Sequence, residues 1–303
     1  MNKKISTVFF GTHNFASTIL KALISNPLFD IQLVVTQPDK PVGRDQILQK
    51  SPVKLIAEEN SINLTQPTKL SDLRSSIFDL DVGITAQYGL IIPQSILDIP
   101  KHGIINIHTS LLPKYRGASP IQSALINGDT ETGVTIMKME AGLDTGPILL
   151  QKKLLIQPDD TYLDLDKKLA DLAIEALFEA IPKYISGELL PIPQNESEKI
   201  ICKQLSRDDG KIDWNKSADE IYNLYRGLTP WPGVWTMWKN KRIKLLKIKP
   251  SDKVLELGNF VVDNDNLFVG CNEGSVEILE LQLEGKKIME TKEFLNGYKS
   301  LLQ

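Results

Sequence analysis

The chain has 303 residues, 42% of them hydrophobic, which is enough apolar material for packed cores over a length that suggests two domains. Lys plus Arg number 35 against 38 Asp plus Glu, so the formal charge is −3 and an RNA partner must meet local basic patches rather than a global positive field. Cys202 and Cys271 lie in no CxxC or Cys/His cluster, and no apolar run reaches about 18 residues, which argues against a disulfide framework, a cysteine-held metal or a membrane-spanning helix and fits a reducing cytoplasm.

The chain opens with two lysines before an apolar run, as signal peptides do. The run ends too early, at His13 and Asn14, and reads instead as a first strand over Ile5 to Phe10, closed by Gly11. Phe15, Ala16, Ile19, Leu20, Leu23 and Ile24 share one helical face, which stops before Pro27. Next come a strand at Ile31 to Thr36, a helix at Val53 to Asn60, a strand at Asp81 to Thr85, a short helix after Pro93 and a strand at Gly103 to His108. A helix follows at Ile121 to Asn127, with strands at Gly133 to Met139 and Ile148 to Ile156. A long helix then begins at Thr161 and Asp164, in a capping-box-like arrangement, and ends near Gly187. Strand–helix alternation of this kind predicts an α/β fold with a Rossmann-like, mostly parallel sheet, and ligands at the carboxyl ends of its strands.

Residues 189–206 carry two prolines and several polar side chains and read as a linker between domains at 1–188 and 207–303. Beyond it lie a helix at Ala218 to Arg226 and five short β runs: Val234 to Trp238, Arg242 to Ile248, Asn259 to Val262, Leu267 to Cys271 and Ser275 to Leu283. Asn264-Asp265 and Glu273-Gly274 mark turns between them, and the pattern predicts a small β-barrel, of which the OB type is one candidate.

The densest chemical signal is GIINIHTSLLPKYRGASP, residues 103–120. Asn106 and His108 interrupt a buried-strand pattern at i and i+2, so both side chains leave on one face near the strand end. A buried amide beside a buried imidazole is costly unless paired or used. A satisfied core histidine is the plain alternative, but the following Ser110, Leu111, Leu112 and Pro113 favour a site. Gly142-Leu143-Asp144-Thr145-Gly146 is a second element, a tight turn carrying one carboxylate that gains weight with a histidine partner.

Residues 106–149, with Asn-x-His-x-Ser-Leu-Leu-Pro followed by Asp in a Gly-rich turn, resemble the core of the folate-dependent formyltransferases. FFGTHNFA (9–16), TQPDKPVGR (36–44), SPVK (51–54), AQYGLIIP (86–93) and TPWPGVWT (229–236) extend the resemblance over nearly the whole chain, toward the branch that formylates methionine on initiator tRNA. The resemblance implies the formyltransferase fold, Asn106, His108 and Asp144 as the catalytic group, and 10-formyltetrahydrofolate as co-substrate. It also implies Ser110 to Pro113 lining the folate site, the Tyr88 to Ile92 backbone near the pterin, and Arg44 reaching the tRNA acceptor end. No metal is required, and a cytoplasmic monomer acting on initiator methionyl-tRNA, without a membrane, is expected.

The chemistry agrees. Peptide α-amino groups titrate at roughly 7.7–8.0 and an ester lowers this further, so a neutral nucleophile exists without strong activation. The harder task is stabilising the oxygen that becomes anionic as the amine adds. Asn106 can donate to it, a contribution worth about 10²–10³ in rate. Protonated His108 can donate to the same oxygen, and Asp144 favours that form and assists proton removal. Ser110 reads equally as a turn-capping serine.

Gly11-Thr12-His13 lacks the patterns of dinucleotide or nucleoside-triphosphate loops and serves a turn. Residues 37–50 form a long connection in which Asp45 and Gln46 stand where the resembled family often carries further basic residues. Lys239, Lys241, Arg242, Lys244, Lys247 and Lys249 make a basic strip, either a solvated face or a phosphate-tracking surface. Trp231, Trp235 and Trp238 read as packing residues. Three rival functions remain: formyl transfer to an amino sugar, formyl hydrolysis, and a non-catalytic folate- or RNA-binding module.

Overall fold

The computed structural model describes residues 3–42 and 46–301. In chain order the elements are β1 (Ile5–Gly11), α1 (Asn14–Ser25), β2 (Phe29–Val35), β3 (Lys40–Val42), β4 (Ile47–Gln49), α2 (Pro52–Glu59), β5 (Leu64–Thr65), β6 (Val82–Ala86), α3 (Gln94–Leu97), β7 (Ile104–His108), β8 (Arg116–Gly117) and α4 (Pro120–Ile126). Then follow β9 (Glu131–Lys138), β10 (Ile148–Leu155), α5 (Tyr162–Ile185), β11 (Ile201–Cys202), α6 (Ala218–Leu228), β12 (Val234–Trp238), β13 (Lys241–Ser251), β14 (Phe260–Asp263), β15 (Asn266–Gly270), β16 (Ser275–Leu283), β17 (Ile288–Glu290) and α7 (Thr291–Tyr298). They form two compact units. One comprises Met1–Gly117, Thr132–Leu154 and Asp166–Ile201; the other comprises Ala118–Glu131, Leu155–Leu165 and Cys202–Gln303.

The first unit is built on a seven-stranded sheet of order β10-β9-β7-β6-β1-β2-β5. β1 pairs in parallel with β2 and β6, β2 with β5, and β6 with β7, while β9 runs antiparallel to β7. This is the α/β architecture expected from strand–helix alternation. Val8, Phe10, Leu33, Val35, Tyr88, Ile96, Leu97 and Ile104 pack into one core cluster. Ile104 needs the space that Gly83 leaves, because a Cβ on Gly83 would lie 2.7 Å from its Cγ1. β6 therefore approaches β7 closely, and Thr85 pairs with Asn106 at the carboxyl edge of the sheet.

Caps set the helix starts. Ser51 accepts from the Lys54 N–H at 3.0 Å with Pro52 at the first helical position, an arrangement worth about 1 kcal/mol. At α5 the Thr161 hydroxyl and backbone N–H both donate to Asp164, so the acidic half of the expected box is what ties the two residues.

The second unit contains an antiparallel sheet of order β12-β13-β16-β15-β14, with β17 beside β16. Asn264 and Asp265, with φ of 47° and 62°, make the left-handed β14–β15 turn that their sequence predicts. Ile221, Leu228, Val234, Ile243, Leu245, Val269, Ile278, Leu281 and Phe294 lie in its core. Trp238 packs on Phe260, Phe294 and Tyr298, and Trp235 is buried, as packing residues should be. Trp231, in contrast, is 55% exposed.

Candidate active site

Asn106 and His108 leave β7 on the same face, and the turn after β9 brings Asp144 to them. Asn106 Nδ2 lies 3.4 Å from Asp144 Oδ1, and His108 Nδ1 lies 3.7 Å from Asp144 Oδ2. His108 is 6% exposed and the Asp144 side chain 15%, so the group is sheltered with a path to solvent through the carboxylate.

The histidine tautomer follows from its partner. Nε2 is 2.9 Å from the carbonyl oxygen of Tyr115. A carbonyl only accepts, so Nε2 carries a hydrogen, and Nδ1 is the nitrogen that can exchange a proton beside Asp144. Asp144 Oδ2 accepts from the Gly117 N–H at 2.9 Å, which leaves Oδ1 toward Asn106. Residues 115–117 thus hold the imidazole by a carbonyl and the carboxylate by an amide.

Tyr115 and Asp144 have φ of 61° and 49°, and Gln87, at the end of β6, has 42°. Left-handed backbone costs a non-glycine residue about 1–2 kcal/mol, and such strain concentrates at functional sites. Two glycines make the Asp144 turn sterically possible. A Cβ on Gly146 would lie 1.9 Å from the Lys138 carbonyl oxygen, and one on Gly142 would lie 2.1 Å from Thr145 Oγ1.

The loop 110–113 is fixed from below. Thr135 Oγ1 donates to the Ser110 carbonyl at 2.6 Å and accepts from the Leu112 N–H at 3.0 Å, while Gln151 Nε2 donates to the Leu112 carbonyl at 2.8 Å. Ser110 is fully buried, and its hydroxyl donates to the Lys114 carbonyl at 2.5 Å, so it closes its own turn. Leu111, Leu112 and Pro113 line a cavity of about 370 Å³ with Gln151, Lys153 and Ile200. Asn106, His108 and Asp144 do not line that cavity.

The stretch after β6 is anchored by its backbone. Thr12 Oγ1 and Gln37 Nε2 both donate to the Tyr88 carbonyl, at 2.9 and 2.6 Å. Ile91 is 89% exposed beside half-exposed Leu90, so this loop offers apolar side chains at the ligand edge of the sheet. Burial raises the Asp166 carboxyl above its ordinary value, with Gln87 as its hydrogen-bond partner, and its Oδ1 is buried without a partner among the described residues.

Thr12, Gln37, Tyr115, Gly117, Thr135 and Gln151 were not singled out from the sequence for these roles. Thr135 alone carried a signal, a polar residue within the apolar stretch Val134 to Met137 of β9. Arg44 lies outside the described residues. In the second unit Arg242 stacks on the Trp235 ring at 4.0 Å, and Lys244, Lys247 and Lys249 are exposed along β13. Among the described residues no His/Cys/Asp/Glu group has a metal-holding arrangement, and no helix is long and apolar enough to cross a membrane.

The sequence pattern of the formyl transferase family matches residues 3–181, and that of the family's C-terminal domain matches residues 204–299. The chain belongs to the formyl transferase family. It is 47% identical over 296 residues to a methionyl-tRNA formyltransferase of Thermodesulfovibrio yellowstonii, covering 96% of each chain. It is 42% identical over 303 residues to one of Caldicellulosiruptor saccharolyticus, again covering 96% of each. In fold it is similar to the crystal structure of an N-formyltransferase from Helicobacter canadensis in complex with folinic acid and dTDP-3-aminofucose. That match has a TM-score of 0.70 and 20% identity, covering 91% of this chain and 99% of the other.

Proposed function

We propose that this enzyme transfers the formyl group of 10-formyltetrahydrofolate to the α-amino group of methionyl-initiator tRNA, giving formylmethionyl-tRNA and tetrahydrofolate. The observation that carries the reading is the meeting of Asn106, His108 and Asp144 at the carboxyl edge of β7. Identity of 42–47% over 96% of the chain to methionyl-tRNA formyltransferases supports the acceptor.

The folate supplies an activated formyl carbon. The Asn106 amide donates to the formyl oxygen as negative charge builds there, and His108 supplies a second donor when Nδ1 is protonated. Asp144, 3.7 Å from Nδ1, stabilises that charged imidazole and takes part in removing the amine proton. The Tyr115 carbonyl keeps the ring from rotating away. The exposed apolar loop at Leu90 and Ile91 suits the flat pterin, and the backbone of Ser110 to Pro113 suits the remainder of the folate.

Catalysis is assigned to residues 1–188 and tRNA grip to residues 207–303, with 189–206 between them. Arg44 and the exposed lysines of β13 supply the phosphate contacts, and the enzyme acts as a cytoplasmic monomer. The decisive experiment is transfer of radiolabelled formyl to charged initiator tRNA, with charged elongator tRNA, an amino sugar nucleotide and water as competing acceptors. Preferential labelling of the initiator is expected; labelling of the sugar, or formate release alone, overturns the reading.

A further inference from the structure

Residues 192–200 follow α5, carry a single 3-10 turn at Glu196–Glu198, and are stitched to the site. Ile192 and Ile148 exchange two backbone hydrogen bonds of 2.8 Å, which pins the strand-like segment just beyond the Asp144 turn. Two residues on, the carboxamide of Gln194 is fully used. Its Nε2 donates to the carbonyl oxygens of Asp144 at 2.8 Å and Gly146 at 2.7 Å. Its Oε1 accepts from Arg116 Nε at 3.0 Å and Nη2 at 2.8 Å.

Arg116 is the residue between the two that hold the catalytic side chains: the carbonyl of Tyr115 on His108 and the amide of Gly117 on Asp144. It is 2% exposed, and Glu196 accepts from Nη2 at 2.6 Å and from Nη1 at 3.2 Å. Its own backbone N–H donates to the Ile200 carbonyl at 2.8 Å. One amide therefore joins the two backbone pieces that set the distance from imidazole to carboxylate. The turn it grips is the one whose aspartate has a left-handed backbone, which persists where surrounding bonds over-determine it.

We propose that Gln194 is a positioning residue for the Asp144 carboxylate, acting through the turn backbone. The proposal rests on the reading of Asp144 as catalytic. Misplacing a reacting group by about 1 Å costs on the order of 10²-fold in rate, and a loosened turn moves the carboxylate on that scale.

Two substitutions separate this role from a purely structural one. Gln194→Glu keeps both acceptor contacts to Arg116 but sets a carboxylate oxygen against two carbonyl oxygens. Gln194→Met preserves length and removes every polar contact. If the side chain served only to dock Arg116, the glutamate variant would behave as wild type and only the methionine variant would suffer. Positioning predicts that both lower kcat by ~10- to 100-fold, with KM for folate and tRNA within about twofold. Single-turnover formyl transfer is measured below the Tm of each variant, with circular dichroism establishing the folded fraction. In an Asp144→Ala background the Gln194→Glu change should add less than about twofold, since its target is gone.

Wild-type kcat in the glutamate variant overturns the proposal, as does an undiminished penalty in the Asp144→Ala background or a rise in KM alone. An active Asp144→Ala enzyme overturns the catalytic assignment and the positioning role with it. A strongly slowed Asp144→Ala enzyme beside a glutamate variant of wild-type kcat overturns the positioning role alone.

Discussion

Replacing Asn106 by aspartate and by alanine distinguishes a hydrogen-bond donor from a side chain that only fills space. Aspartate is nearly isosteric, so a structural site tolerates it better than alanine. A donor site does not. The new carboxylate would stand where Nδ2 now lies, 3.4 Å from Asp144 Oδ1. At an effective dielectric of 20 the gross repulsion at that separation is about 5 kcal/mol, relieved by proton uptake or by displacement of a side chain. It would also repel the forming oxyanion. Loss of one donor costs about 10²–10³ in kcat, or ~2.7–4 kcal/mol, which is the expectation for Asn106→Ala. Asn106→Asp should be slower still at pH 8, where its carboxyl is more ionised than at lower pH. The assay is single-turnover transfer of labelled formyl to charged initiator tRNA, with folate affinity measured separately and expected within a few-fold of wild type. An aspartate variant faster than the alanine variant, or retaining half of wild-type kcat, would refute the reasoning.

His108→Ala should lower turnover strongly while leaving folate affinity nearly intact; lost folate binding with normal turnover in the same titrations contradicts the role. Tyr88→Phe should stabilise the protein by about 1 kcal/mol, because it removes a buried hydroxyl that has no hydrogen-bond partner among the described residues; thermal unfolding should show the Tm rising, and a fall counts against it. Asp166→Asn should raise the Tm at neutral pH. The folded carboxyl titrates above its unfolded value, so between the two pKa values the native state binds more protons and wild-type stability falls as pH rises. The asparagine variant lacks that slope, and its advantage should vanish as pH drops toward the ordinary carboxylate range. Arg44→Ala and Lys244→Ala should each weaken tRNA binding and flatten its salt dependence by about one counterion's worth; an unchanged slope in filter binding removes that residue from the interface.

The parts of the site legible in the sequence are those whose side chains break a local pattern. Asn106 and His108 stand out because an otherwise apolar strand has no other reason to bury an amide and an imidazole. Asp144 shows itself by its glycine bracket, but its meeting with His108 is a contact across 36 positions that no local rule supplies. The contacts that hold these groups were hidden because they use backbone atoms. The Tyr115 carbonyl and the Gly117 amide would be present whatever residue stood there. Gln194 lies in a stretch whose prolines and polar residues suggest only a connection. In the sheet, parallel pairing followed from the strand–helix alternation, whereas β3 and β4 have too little apolar alternation to announce themselves. β17 and α7 escaped for a related reason: Ile288–Glu290 is three residues long, and the capping pair Glu290 and Glu293 lies within a charged stretch.

The second unit draws residues from the middle of the chain, and this bears on synthesis. α4 packs on α6 so closely that Gly227 would place a Cβ 2.7 Å from Ile126 and 3.0 Å from the Gln122 carbonyl. About ninety residues separate the two helices, so at ~5–20 residues/s α4 leaves the ribosome roughly 5–20 s before its partner exists. Nascent chains halted in that interval lack the α6 face that Ile126 and the Gln122 carbonyl pack against, and release of α6 from the exit tunnel supplies it.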